Sequence, residues 1–216
     1  MLPNLSQGKG SILIEPSRVT KPHDDIIRQI NGMRASIGKL MTNEELDDFL
    51  DLLRTQGWRV ELRESGAGNL NESVSRRYPH IPEDYAKFLR RVASCVNASD
   101  TVWFFCADDY NGTSPAVFSW NEFEKMGLEA AEGNEQASQQ IREFWSRHLP
   151  FMLSVSGDYA CLSLCVSGDA YGSVVNSFAP DFEGLTEVTG TFDEFVRLYS
   201  AALKGDFRDT VLRDYV

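Results

Sequence analysis

Cysteine and acidic side chains are the groups in this 216-residue chain that could hold a metal ion. Cys161 and Cys165 lie four residues apart on a predicted strand, so roughly 13 Å separates them at about 3.3 Å per residue. Two thiolates that share a zinc ion lie within about 4–5 Å of each other, because each Zn–S bond is about 2.3 Å long. Residues around Asp109 resemble a calcium loop, but Ala107 and Phe118 stand where the loop needs its first and twelfth oxygen ligands. The sequence therefore predicts no metal ion and no cofactor.

The chain shows no arrangement of residues typical of an enzyme, and no catalytic residue is predicted. It lacks a Gly-x-Ser-x-Gly turn and a glycine-rich phosphate loop, and its three histidines fall in predicted loops or at a helix end: His23, His80 and His148. The carboxylate pairs Glu122/Glu124 and Asp181/Glu183 could perform acid–base chemistry, and solvated surface acids are the competing interpretation. A hydrolase or small-molecule-binding domain that uses the face of a sheet stays open as the alternative to a binding protein.

The charge of the chain is strongly acidic and unevenly distributed. It carries 32 acidic and 21 basic residues, a net charge of −11, and no lysine or arginine stands between His148 and Val196. Direct binding to nucleic acid or to an anionic membrane is disfavoured, because phosphate groups need cations. Charge complementarity favours a basic protein partner. The alternative is that the acidic surface only keeps the protein soluble.

Apolar segments are short throughout the chain. The longest strongly apolar run covers residues 102–107, far below the roughly 20 residues that span a bilayer. Near the N-terminus only residues 12–14 are apolar, whereas a secretory signal needs about 7–15 such residues. These patterns predict a cytoplasmic protein with four reduced cysteines, of which Cys161 and Cys165 are buried as small hydrophobic residues.

Periodicity and capping residues predict an α+β fold. Residues 42–55 are predicted to form a helix that begins with a capping box, Thr42 and Glu45, and residues 58–63 alternate like a half-buried edge strand. Further strands are predicted at 101–107, 116–120, 151–155, 159–166 and 173–178, and further helices at 81–92, 121–127, 134–148 and 191–204. Because the strands come in hairpins, we expect a mostly antiparallel sheet of about five or six strands with helices packed against it.

The predicted elements divide the chain into two parts. Residues 1–40 are predicted to be an N-terminal extension with one short helix at 24–35, and residues 41–216 a single domain. The helix at 42–55 should pack on the rest of that domain through Leu46, Phe49 and Leu53. Residues 65–80 are predicted to form a loop, and residues 108–112 a tight hairpin turn.

Several short motifs follow one another in the order of a known family. They are the helix start Ile-Pro-Glu-Asp-Tyr-Ala-Lys-Phe-Leu at 81–89, the aromatic strand around Trp103, Phe-Ser-Trp-Asn-Glu-Phe at 118–123, the Gly-Asp-Tyr turn at 157–159 and Thr-Phe-Asp-Glu-Phe at 191–195. In this order they resemble a SMI1/KNR4 domain of the SUKH superfamily, over roughly residues 78–204. The resemblance implies an α+β fold without a shared catalytic apparatus. It also implies, in bacteria, frequent service as an immunity protein that neutralises a polymorphic toxin, often a nuclease, while eukaryotic relatives act as regulatory interaction modules.

Acidic and aromatic residues stand side by side in the predicted turns and loops. We expect a basic protein partner, a toxin domain on the family resemblance, to bind these residues: Asp108, Asp109, Tyr110, Asp158, Tyr159, Asp169, Tyr171, Asp181 and Glu183. Exposed acids mainly speed association, and a buried aromatic anchor such as Tyr110 supplies affinity. The alternative is that the loop aromatics fold back onto the core.

The predicted sheet limits how these residues can act together. Asp158 and Asp169 would lie at opposite ends of the 159–166 strand, roughly 26 Å apart at about 3.3 Å per residue. Screening over about 8 Å prevents them from acting as one charge cluster. The Asp158 end is preferred, because its Gly-Asp-Tyr sequence is similar to the family pattern, and Asp108 and Asp109 join it if their hairpin opens on the same edge.

Overall fold

Seven strands form one antiparallel sheet in the computed structural model, which describes residues 40–64, 68–115, 118–157, 159–178, 184–206 and 211–216. In chain order they are β1 (Arg59–Leu62), β2 (Val92–Val96), β3 (Val102–Phe104), β4 (His148–Ser154), β5 (Ala160–Cys165), β6 (Val174–Phe178) and β7 (Thr186–Thr189). Each strand pairs with the next one along the chain, so β1 and β7 are the edges. The predicted α+β fold is confirmed, with seven strands instead of five or six. The helix predicted at 24–35 lies outside the described residues.

Seven α-helices and a short C-terminal 3₁₀ helix occur among the described residues. They are α1 (Asn43–Thr55), α2 (Glu72–Arg77), α3 (Glu83–Arg91), α4 (Ala107–Asn111), α5 (Glu122–Ala130), α6 (Glu135–Arg147), α7 (Phe192–Leu203) and the 3₁₀ helix Val211–Tyr215. The capping box of α1 forms as predicted: Glu45 N donates to Thr42 Oγ1 at 3.1 Å, and Thr42 N donates to Glu45 Oε2 at 2.8 Å. Within the described part of the chain, no helix has both the length and the apolar character of a membrane span.

Phe104 of β3 is surrounded by aromatic rings from three helices, on the side of the sheet that we call the core face. Its ring centroid lies 5.2 Å from that of Phe88 in α3, 6.0 Å from that of Phe49 in α1 and 6.3 Å from that of Phe195 in α7. Rings at these distances and tilts attract each other beyond the gain from burial. The side chains predicted to point inward from α1 are all buried: Leu46, Phe49 and Leu53.

Arg77 joins α2 to α5 through two kinds of contact. Its Nη2 atom donates to Glu124 Oε1 at 2.8 Å. Its guanidinium carbon lies 5.2 Å from the ring centroid of Tyr78 and 5.7 Å from that of Trp120, which is the range of cation–π attraction. The Tyr78 hydroxyl also donates to the carbonyl of Trp145 at 2.8 Å and so ties α2 to α6. We call Arg77, Glu124, Tyr78 and Trp120 the Arg77 cluster.

Part of the predicted loop at 65–80 is helical, because α2 lies within it. Asn71 caps this helix with its side-chain oxygen, which accepts from Val74 N at 3.0 Å, and Val74 is buried. The helix has six residues, fewer than two turns at about 3.6 residues per turn. It is therefore too short to show a helical period in the sequence.

The predicted strands need two further corrections. The strand predicted at 116–120 is wrong over residues 118–120, which lie in no strand, and residues 116–117 fall outside the described part. β2 and β7 have no counterpart among the predicted strands. β2 begins at Val92 directly after the last residue of α3, so no turn residue separates the two elements in the sequence.

The predicted hairpin turn at 108–112 is a one-turn helix, α4, which is capped after Asn111 by Gly112 with a φ of +69°. This conformation turns Tyr110 inward, so the predicted surface position of Tyr110 is wrong: the residue is 2% exposed. Its hydroxyl donates to the carbonyl of Pro150 in β4. The hydroxyl oxygen of Tyr85 lies 2.7 Å from that of Tyr110 and 2.7 Å from the carbonyl of Phe105. Tyr110 therefore fixes α4 to the sheet.

We predict that Tyr110→Phe lowers the free energy of unfolding by about 1 kcal/mol, because it removes a buried hydrogen bond to Pro150 without creating a large cavity. Urea unfolding followed by circular dichroism measures the change. Tyr171→Phe is the matched control, since Tyr171 is 49% exposed, and it should leave the midpoint unchanged. Equal midpoints for Tyr110→Phe and the wild-type chain would show that this hydroxyl does not hold α4.

Candidate partner-binding groove

A groove of about 790 Å³ lies on the face of the sheet opposite the core face. Antiparallel pairing sets Glu61 of β1 opposite Ser94 of β2, and Val96 of β2 opposite Trp103 of β3. Directly paired residues point to the same side of a sheet, and Trp103 alternates with Phe104, so these four side chains face the groove. Arg59, which is opposite Val96, points to the same side. Residues 113–115, which follow α4, and residues of the β4–β5 connection complete its lining.

Aromatic rings at steep angles to one another line one side of the groove. The ring centroids of Trp103 and Phe118 lie 6.1 Å apart with an interplanar angle of 68°, and those of Phe118 and Tyr159 lie 6.0 Å apart at 84°. Tyr159 also contacts Phe123 of α5 and is still 39% exposed. The structure thus places Tyr159, which was predicted to lie in a turn, beside an aromatic cluster that borders an open cavity.

Carboxylates lie around the same cavity: Glu61, Asp100, Asp108 and Asp109. Arg59 pairs with Asp100. Arg63 Nη2 lies 3.0 Å from Asp108 Oδ2, an ion-pair contact without hydrogen-bond geometry, while its Nε donates to the carbonyl of Val92 at 3.1 Å. Glu61 is exposed and has no ion-pair partner in the described ranges. Four carboxylates set against two guanidinium groups leave the border of the groove negative.

Asp109 is largely buried and serves the local structure. Its Oδ2 accepts from Cys106 N at 2.7 Å, immediately before α4 begins. Burial raises the pKa of Asp109, and the hydrogen bonds from Cys106 and Ser114 partly oppose that rise. The prediction that Asp109 is exposed is therefore wrong, because its side chain is largely buried, although the residue borders the groove. Its neighbour Asp108, with 41% of its side chain exposed, keeps the more accessible carboxylate.

Asp169 and Tyr171 lie away from the groove. Both are exposed in the connection between β5 and β6, at the opposite end of β5 from Tyr159. The structure thus does not bring them together with Asp108 or Tyr159. Three other predicted partner-binding residues lie outside the described ranges: Asp158, Asp181 and Glu183.

Sequence reasoning missed Glu61, Asp100 and Phe118 as candidate site residues. The alternation at 58–63 did carry a signal for Glu61, because it placed this carboxylate on the side of the strand facing away from the core. No local signal sets Glu61 on the same face of the sheet as Trp103, since that placement depends on the register across β2. Asp100 has a φ of +57°, in the left-handed region that few residues other than glycine adopt, which orients it in the β2–β3 turn.

Groups that could support other chemistry are buried. The prediction that Cys161 and Cys165 are buried is confirmed. Burial raises the pKa of Cys161 to about 12 and raises the pKa of Cys95, so both thiols stay protonated near pH 7. Burial also lowers the pKa of His148, whose Nδ1 lies 2.8 Å from the carbonyl of Phe144. No three His, Cys, Asp or Glu residues of the described ranges are grouped as metal ligands.

We predict that Asp109→Ala lowers the free energy of unfolding by about 1 kcal/mol, because Cys106 N loses its acceptor at the start of α4. Asp109→Asn keeps an acceptor oxygen and should cost clearly less. Thermal unfolding of both variants, with Asp169→Ala as an exposed control, measures the difference. An Asp109→Ala chain as stable as Asp169→Ala would contradict the capping role.

A protein-family model matches the part of the chain that contains most of the groove. The model described as the SMI1 / KNR4 family (SUKH-1) matches residues 77–198. The matched range contains Asp100, Trp103, Phe118 and Tyr159, whereas Glu61 precedes it. No curated protein and no solved structure matches the chain with significance. Because the family match covers more than half of the 216 residues, from the end of α2 into α7, the chain belongs to the SMI1/KNR4 family (SUKH-1).

Proposed function

We propose that this chain is a non-catalytic protein-binding domain, an immunity protein that binds and neutralises a basic toxin domain. In this proposal the groove is the site that binds the toxin. The family to which it belongs is generally one of non-catalytic, immunity-type domains. The observation that carries the proposal is the groove itself, in which an aromatic side and carboxylates border one cavity. Aromatic residues are enriched in the centres of protein interfaces.

Electrostatics support a basic partner. The chain has a net charge of −11, and complementary charge raises the rate at which two proteins meet. The described residues that line the groove include four carboxylates and no lysine, arginine or histidine. For the same reason we propose neither nucleic acid nor a membrane as a direct partner, since both present phosphate. We propose the cytoplasm as the compartment, in keeping with four free thiols.

A small-molecule site or a hydrolase is the second candidate, because the groove volume falls within the roughly 300–1,000 Å³ of ligand pockets. A hydrolase needs a nucleophile with a base in hydrogen-bond reach. The described lining contains Ser94 and Ser114 without a histidine, and the Cys95 thiol has a raised pKa because it is buried. The residues of the groove therefore favour binding over catalysis.

The test uses the toxin domain that we expect a neighbouring gene to encode. Co-expression of the chain should restore growth to cells that produce this domain. Biolayer interferometry should show association that slows several-fold between about 50 and 300 mM salt, because exposed charges are screened. Glu61→Lys should slow association further, while the control Glu143→Lys, an equal charge change on the exposed side of α6, should not.

Two results would reject the proposal. One is a chain that neither binds the neighbouring toxin nor protects cells from it. The other is turnover of a small substrate that a single substitution in the groove abolishes. An association rate that does not change with salt, and that is the same for Glu61→Lys and Glu143→Lys, would reject the electrostatic part of the proposal.

A further inference from the structure

We infer that the groove recognises an arginine side chain of the partner, which lies against the rings of Trp103, Phe118 and Tyr159 and is neutralised by the carboxylates around them. This inference rests on the proposed function and specifies the chemistry that the groove selects. It makes arginine the anchor of the interaction, where the proposed function requires only a basic protein.

The Arg77 cluster shows how this chain holds a guanidinium group within its own fold. Tyr78 and Trp120 lie 6.0 Å apart with an interplanar angle of 72°. Arg77 lies over both rings, at 5.2 and 5.7 Å, and its charge is met by Glu124 at 2.8 Å. Two steeply inclined rings and one carboxylate thus contact this guanidinium group, where the rings attract the cation and the carboxylate neutralises it.

The groove contains the same components in nearly the same ring geometry. Trp103 and Phe118 lie 6.1 Å apart at 68°, and Phe118 and Tyr159 lie 6.0 Å apart at 84°. Carboxylates border the same cavity, and Glu61 among them is exposed and has no ion-pair partner in the described residues. What distinguishes the groove from the Arg77 cluster is that no cation lies over its rings among the described residues: the lining includes no arginine or lysine, and the two bordering arginines, Arg59 and Arg63, pair with Asp100 and Asp108. Charge complementarity therefore assigns that place to a cation of the partner.

The chemistry of the rings favours arginine over lysine. A guanidinium group is planar and weakly hydrated, so it stacks on aromatic rings at a smaller desolvation cost than an ammonium group. The cavity of about 790 Å³ also leaves room for residues on either side of the arginine. The occupant is consequently an arginine-bearing segment of the partner.

Isothermal titration calorimetry of the full chain with three capped peptides tests the inference. The probes are hexa-arginine, hexa-lysine and hexa-citrulline, in which citrulline keeps the shape of arginine without its charge. We expect hexa-arginine to bind at least threefold more tightly than hexa-lysine, and hexa-citrulline not to bind. Equal affinity for hexa-arginine and hexa-lysine, or for hexa-arginine and hexa-citrulline, would overturn the inference.

Matched variants locate the peptide in the groove. Tyr159→Leu should weaken hexa-arginine binding about threefold to tenfold, because it keeps an apolar side chain but removes the ring. Tyr159→Phe should bind like the wild-type chain, and so should Tyr171→Leu, at the other end of β5. Glu61→Gln should weaken binding about threefold, whereas Glu143→Gln should not. Circular dichroism confirms that each variant is folded.

The outcomes separate this inference from the proposed function. Equal hexa-arginine affinity in Tyr159→Leu and Tyr171→Leu would overturn the groove as the arginine site, even if the toxin still bound and was neutralised. The opposite result is that hexa-arginine binding depends on Tyr159 but the chain does not bind the toxin encoded by the neighbouring gene. That result would uphold the arginine site and reject the immunity role.

Discussion

The alternation of side chains along β3 is the constraint on which both the core and the groove depend. Successive residues of a strand point to opposite faces, so Phe104 enters the aromatic core under α1, α3 and α7 while Trp103 faces the groove. Phe104 is 1% exposed, and a slip of one residue would exchange the two rings. Because burial of Phe104 fixes the register, the core determines where the groove has its aromatic side.

The distribution of charge gives the groove its chemical character. On the helices of the core face, basic residues are matched by acids: Arg90 by Glu83 at 2.5 Å, and Arg91 by Asp47 at 3.0 Å. Such exposed pairs contribute little stability. Around the groove, Arg59 and Arg63 face four carboxylates. An acidic border beside aromatic rings favours a basic partner over a neutral one.

Local signals in the sequence predicted much of the fold and little of the site. The capping box at Thr42 and the alternation at 58–63 are encoded by neighbouring residues, and both were predictable. Tyr110 was not, because a five-residue helix has no period and its inward turn depends on a hydrogen bond to the distant strand β4. Pairing across β2 sets Glu61 and Trp103 on the same face of the sheet, so tertiary register, not local pattern, creates the site.

The central claim is that the partner binds in the groove, and photo-crosslinking tests it most directly. Benzoylphenylalanine is introduced at position 159 in one variant and at position 171 in another; both replace partly exposed tyrosines at opposite ends of β5. Irradiation in the presence of the cognate toxin should give a covalent adduct from position 159 and none from position 171. An adduct from position 171 alone would contradict the account and place the interface at the other end of the sheet.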